Sequence, residues 1–160
     1  MHPRRITRTI LTVVALTLAA TLITVGAALA ISSTVLADGN TANSGHFHSE
    51  RGTIKLETKG SVRIRDVYTT GAPPGFASPW HTHPGPVLVS MSPTSAGSLT
   101  IYDQNCNGTT IGAGEAYIEK PNTPVMGRNE SSANADWVTT FIVPIGHEPT
   151  HNLDSGPCNP

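Results

Sequence analysis

From residue 54 onward the chain alternates. Ile54 and Leu56 are interleaved with Lys55 and Glu57, and Val62 and Ile64 with Arg63 and Arg65. A period of two sends successive side chains to opposite faces of a pleated strand, so this pattern predicts half-buried β-strands. Val87 to Met91, Leu99 to Tyr102, Glu115 to Glu119 and Trp137 to Val143 follow, each bounded by Gly, Pro, Asn or Ser. The last run is apolar or Thr at every position, which predicts a central strand buried on both faces. No helical stripe appears after residue 37, and there is no tandem repeat or charge block. Several short strands at such spacing predict an all-β sandwich or barrel.

The first 37 residues follow a different rule. Arg4, Arg5 and Arg8 precede an uncharged stretch from Thr9 to Ala37 whose apolar heart is Ile10 to Ile31. A cationic start, an apolar middle and small residues near Val35-Leu36-Ala37 read as an export signal, with cleavage after Ala37. The competing reading is an uncleaved transmembrane anchor, since 22 helical residues reach about 33 Å, enough to cross a bilayer core. Asp38 to Glu50 is rich in Gly, Asn and Ser and reads as a flexible leader. The expected organisation is therefore signal or anchor at 1–37, leader at 38–51, barrel at 52–146 and a C-terminal tail at 147–160. The expected location is secreted or cell envelope, or membrane-anchored with the barrel outside the cytoplasm.

Composition sharpens this division. The 160 residues carry 10 Lys+Arg and 11 Asp+Glu, a formal charge of −1, and at 16.8 kDa allow one domain of ordinary size. Residues 38–160 hold 7 basic and 11 acidic side chains, net −4, scattered without a basic stripe, which excludes a general nucleic-acid binder. The same part holds 26 of the 28 Gly and Pro residues, as expected for short elements joined by many turns. Cys106 and Cys158 form no CxxC and have no neighbouring His, so in an oxidising compartment they read as a disulfide tying the tail to a loop. Such a closure stabilises by about 4 kcal/mol in the chain-entropy model.

Candidate chemistry centres on His81-Thr82-His83. On extended chain, residues i and i+2 face the same side, so both imidazoles can address one metal ion. Two imidazoles in a partly apolar cavity resist joint protonation, so without metal at least one should stay neutral below the usual pKa of about 6.5. His147-Glu148-Pro149-Thr150-His151 matches the string HExxH, but zinc binding by that string needs a helix, and Pro149 opposes one. His46-Phe47-His48 is a second HxH, in the expected leader.

Gly75, five residues, then His81-Thr82-His83 resembles the first motif of the cupin superfamily, small metal-binding β-barrels of jelly-roll type. Gly114-Glu115 to Pro121 and on to Asn129 is similar to the second. The stretch from Trp80 to Val89 looks like exported single-domain bacterial cupins, which often carry a late cysteine pair. The resemblance covers about residues 52–146 and implies a jelly-roll barrel, a divalent metal such as Fe, Mn or Zn, and His81 and His83 among its ligands.

The departures bear on function. The family pattern places Glu at position 87 or 88, where Val87 and Leu88 stand, and the first motif's closing Gly is displaced to Gly97. The third His falls on Met126 or Val125, depending on whether Pro121 or Asn129 sets the count. Two neutral nitrogens without a carboxylate imply low metal affinity. Glu119, Glu115, or His46 and His48 are candidates to complete the set, though no spacing rule selects among them. The degenerate motif implies a weak metal-binding or small-molecule-binding barrel without catalysis, with a pocket lined by Val87, Val89, Tyr117 and the histidines. One alternative is a metal-dependent enzyme of dioxygenase or isomerase type using His81 and His83. A second is an envelope interaction or scaffold protein, with a homodimer as the natural assembly.

Overall fold

The computed structural model describes residues 30–49 and 54–159. These fold as β1 (Ser32–Asn40), β2 (His46–His48), β3 (Lys55–Glu57), β4 (Val62–Ala72), β5 (His81–Thr82), β6 (Val87–Met91), β7 (Leu99–Tyr102), β8 (Gly108–Ile111), β9 (Ala116–Glu119), β10 (Met126–Arg128), β11 (Ala135–Pro144) and β12 (His151–Asn152). No helix occurs among the described residues. An antiparallel five-stranded sheet, in the order β1-β4-β11-β6-β9, faces a three-stranded sheet, β10-β7-β8. β2 pairs with β3, and β5 with β12. The all-β expectation holds.

β11 is central, as its run of β-branched and aromatic residues predicts. It is hydrogen-bonded to β4 on one edge and β6 on the other, with Trp137 opposite Thr69 and Met91. It is not buried on both faces, however: Val138 to Ile142 are only half-buried. The ladder slips between Ala135 and Trp137, and there the Asp136 carboxylate accepts from Thr70 Oγ1 at 2.8 Å and Gly71 N at 2.6 Å. A side chain thus satisfies the Gly71 amide, which the bulge takes out of the ladder.

The core lies between the sheets. Val87, Val89 and Met91 of β6 and Trp137 of β11 meet Leu99 and Ile101 of β7 and Ile111 of β8, with Phe76, Tyr117 and Phe141 packed around them. Asn129 is fully buried and fully used. Its amide donates to the carbonyls of Ala72 and Ala133, both at 2.8 Å, and its Oδ1 accepts from Ser131 N and Oγ. Gly97 is required by close approach: a Cβ there would collide with the Ala133 and Asn134 carbonyls.

The N-terminal boundaries differ from those read in the sequence. The apolar segment lies outside the described residues up to residue 29, and the rest of it does not continue as helix. Ser32–Asn40 is instead the edge strand of the larger sheet, running from Ser32 opposite Thr70 to Asn40 opposite Arg63. Asp38 clamps Arg63 with two contacts of 2.6 and 2.7 Å. Asp38–Asn40 and His46–His48, read as leader, are therefore strand residues. The cause is compositional: Gly, Asn and Ser signal turns locally, whereas an edge strand is recruited by the partner it finds.

Candidate metal centre

The segment that carries the two histidines is held on both sides. His81 N donates to Val125 O at 3.0 Å and Val125 N returns to His81 O at 2.9 Å, while β12 pairs with β5 on the other edge. Asn122 N donates to His83 O at 2.7 Å. The two rings project together, as the i, i+2 spacing predicts, with centroids 4.7 Å apart in an edge-to-face arrangement. His83 is 2% exposed.

The third member is Glu119, 6% exposed, at the end of β9. Its place follows from register. Val87 of β6 is directly opposite Glu119 of β9, and directly opposed residues share a face. The carboxylate missing from position 87 is thus supplied by its cross-strand neighbour. One ligand atom from each of His81, His83 and Glu119 falls within 4.8 Å of the others.

Hydrogen bonding fixes which nitrogens face inward. His81 Nδ1 lies 2.7 Å from Pro79 O, and His83 Nδ1 lies 2.6 Å from Pro149 O. A carbonyl oxygen only accepts, so in each neutral imidazole Nδ1 is the donor and Nε2 carries the lone pair. His83 Nε2 sits 3.0 Å from Glu119 Oε2, yet it makes no hydrogen bond of acceptable geometry. Two buried acceptors at that distance repel unless a proton or a metal ion lies between them. This donor set therefore fits a divalent ion, with Nε2 of both histidines and one carboxylate oxygen as ligands and the two carbonyls orienting the rings. Burial pushes the His81 imidazole below its ordinary pKa; the Pro79 carbonyl opposes this, the His83 ring adds to it, and Glu119 opposes it.

Beside these groups lies a cavity of about 210 Å³ walled by Phe76, Val89, Leu99, Trp137 and Phe141, with Thr150 at its margin. Of the pocket residues expected from the sequence, Val89 and the two histidines line it. Val87 is locked in the core, and Tyr117 lines a separate polar cleft with Asp103 and Lys120. Alternation gave the parity of these residues but not which strands enclose the hollow.

The remaining candidates lie elsewhere. Glu115 turns back to accept from Gly112 N at 2.7 Å. His46 and His48 pair with each other on exposed β2, their Nε2 atoms 3.0 Å apart, with Glu57 beside His46. Val125 and Met126 are buried and supply no ligand. His147 to His151 is not helical, and its second His belongs to β12. Cys106 and Cys158 are joined as expected.

No family model matches the chain, and no curated protein matches it. Among solved structures, it is similar to an uncharacterized conserved protein with a double-stranded β-helix domain from Klebsiella pneumoniae (20% identity, 57% of this chain and 76% of that one, TM-score 0.48). It is also similar to a cupin superfamily protein from Desulfitobacterium hafniense (6% identity, 71% and 77%, TM-score 0.47). A third is the DMSP lyase of Ruegeria pomeroyi (15% identity, TM-score 0.46), with which 54% of this chain aligns. The chain spans 41% of that lyase's length.

Proposed function

We propose that this chain is a cupin-type barrel that holds one divalent cation, Fe²⁺, Mn²⁺ or Zn²⁺, on His81, His83 and Glu119 and admits a small, largely apolar molecule beside it. The observation that carries the reading is His83 Nε2 held 3.0 Å from the Glu119 carboxylate in a buried site, without a hydrogen bond of acceptable geometry between them. The carboxylate removes the main objection raised by the sequence, because it halves the charge of a dication inside an apolar wall. Imidazole and carboxylate donors without thiolate suit these three metals.

A second reading, a metal-dependent enzyme, is favoured by the ligand count. Three protein ligands leave coordination positions open, and the cavity adjoins them. When bound there, a divalent ion supplies Lewis acidity toward an oxygen of the bound molecule. The chain's own part is to orient the ligands through Pro79 and Pro149, and to exclude water with Phe76, Trp137 and Phe141.

The chain purified from its host without a metal-binding tag should contain close to one equivalent of Fe, Mn or Zn by elemental analysis. The double variant His81→Ala/His83→Ala should contain none. A metal-free protein that also refuses micromolar additions of all three ions would end both readings.

We also propose export. If the N-terminal segment is cleaved, a cut before Ser32 is the reading that keeps β1 whole, since removal after Ala37 would delete six of its nine residues. Ala28-Leu29-Ala30 satisfies the small-residue rule just upstream. Mass spectrometry of the exported protein should find Ile31 at the N-terminus. An Asp38 start would mean that the edge strand is dispensable.

A further inference from the structure

The C-terminal tail reaches the centre by an unusual route. Beyond β11 it turns at Pro144 to His147 and lays buried Pro149 against His83, its carbonyl 2.6 Å from His83 Nδ1, with Thr150 Oγ1 3.4 Å from the same nitrogen. It then pairs with β5 through His151 and Asn152, and Leu153 N donates to Trp80 O at 2.8 Å. Trp80 Nε1 donates to Cys158 O at 3.0 Å, and Cys158 is joined to Cys106 in the turn between β7 and β8. Most of the tail's side chains are exposed, so little apolar burial holds it down. Its seating rests on a two-residue strand pair, the Trp80 contacts and the disulfide.

We propose that this tail is a working part of the metal centre: a strap whose Pro149 carbonyl sets the tautomer of His83, and whose seating depends on the Cys106–Cys158 disulfide. The claim that metal affinity follows from this rests on the metal reading above; the tautomer claim does not. With the strap seated, Nδ1 holds the proton and Nε2 is free to ligate. With the strap released, Nδ1 loses its acceptor and the proton distributes between the two nitrogens, opposite a carboxylate that favours Nε2–H. The release is balanced chemically. An external dithiol gives two electrons and two protons to the Cys106–Cys158 bond, yielding two thiols here and a disulfide in the donor. The centre therefore loosens in a reducing environment and is complete in an oxidising one.

Two variants of the full chain separate the parts. C106S/C158S removes the tether. G156A keeps it but places a methyl group against the Trp80 indole, which leaves no room for the tail in its present seat. In metal-free wild type, at a pH at which the NMR shows neutral imidazoles, ¹⁵N NMR should show His83 as the Nδ1–H tautomer. Both variants, and wild type reduced by a phosphine, should show a mixture with Nε2–H. Zn²⁺ affinity, read by competition with a chelator, should fall about 10- to 100-fold in the variants, the range expected when an orienting partner of a ligand is lost. Should C106S/C158S fail to fold by circular dichroism, G156A decides. Folded variants with an unchanged tautomer and unchanged Zn²⁺ affinity would overturn the strap. A wild type that binds no Zn²⁺, Fe²⁺ or Mn²⁺ while its variants still change tautomer would sink the metal reading and leave the strap standing.

Discussion

Glu119→Gln should weaken divalent-metal binding by about 100-fold or more, while the metal-free protein stays as stable as before or gains about 1 kcal/mol. The two effects have one origin. With His83 in its neutral Nδ1–H form, the Glu119 carboxylate and the His83 Nε2 lone pair face each other as acceptors at 3.0 Å, both buried. A glutamine of nearly the same shape can turn an N–H toward Nε2, converting a repulsive contact into a hydrogen bond. The same change removes the only carboxylate among the ligands and with it the charge that offsets a dication. Chelator competition reads the first effect and denaturant unfolding of the metal-free protein the second. If Glu119→Gln binds metal as tightly as wild type, Glu119 is not a ligand. If it is destabilised by several kcal/mol, the carboxylate is serving the fold instead.

Trp137→Ala should have the opposite profile. Trp137 is 7% exposed, packs against Phe76 in a tilted arrangement with centroids 5.8 Å apart, and belongs both to the core and to the cavity wall. Truncating such a side chain removes its transfer free energy and leaves a hole, together about 3–5 kcal/mol. For a domain of this size that lowers Tm by roughly 10–20 °C. The residue touches none of the three ligands through a hydrogen bond, so metal affinity at a temperature where the variant is folded should change by less than about fivefold. A loss of metal equal to that of Glu119→Gln would show that the apolar wall, and not the ligand set, controls the site. The enlarged cavity should also accept a bulkier apolar probe.

Much of this architecture was readable, for a physical reason. Strands β3 and β4 lie in runs that alternate apolar and polar residues, β6, β7 and β9 in short apolar runs bounded by turn residues, and β11 in a run that is apolar or Thr from Trp137 to Val143, all of them local properties. Short β5, β8, β10 and β12, of two to four residues each, carry none of these patterns and form only where the fold brings their partners alongside, β8 and β10 against β7 and β5 against β12. His81 and His83 were legible because their relationship spans two residues. Glu119 was only one of several candidates, yet a signal was present. Tyr117 and Glu119 share parity on β9, and Ile118 between them is 66% exposed. A strand that turns an isoleucine outward and a glutamate inward has its polarity inverted, which is costly unless the acid has work to do. Knowing that this acid stands opposite Val87 required the register of β6 against β9, which no local pattern contains. The part of Pro149 was illegible for a further reason: a backbone carbonyl leaves no mark in composition.

The bulge in β1 settles how the larger sheet ends. A regular edge strand of nine residues would offer an uninterrupted row of unsatisfied amides and carbonyls, an inviting template for another chain. The slip between Val35 and Ala37 breaks that row near its middle and twists the two halves apart. Neither half is long enough to recruit a stranger by zipping along it. The interruption thus falls where the border exposes Val35 and Leu36, the stretch at which an unbroken edge would most readily pair with another chain.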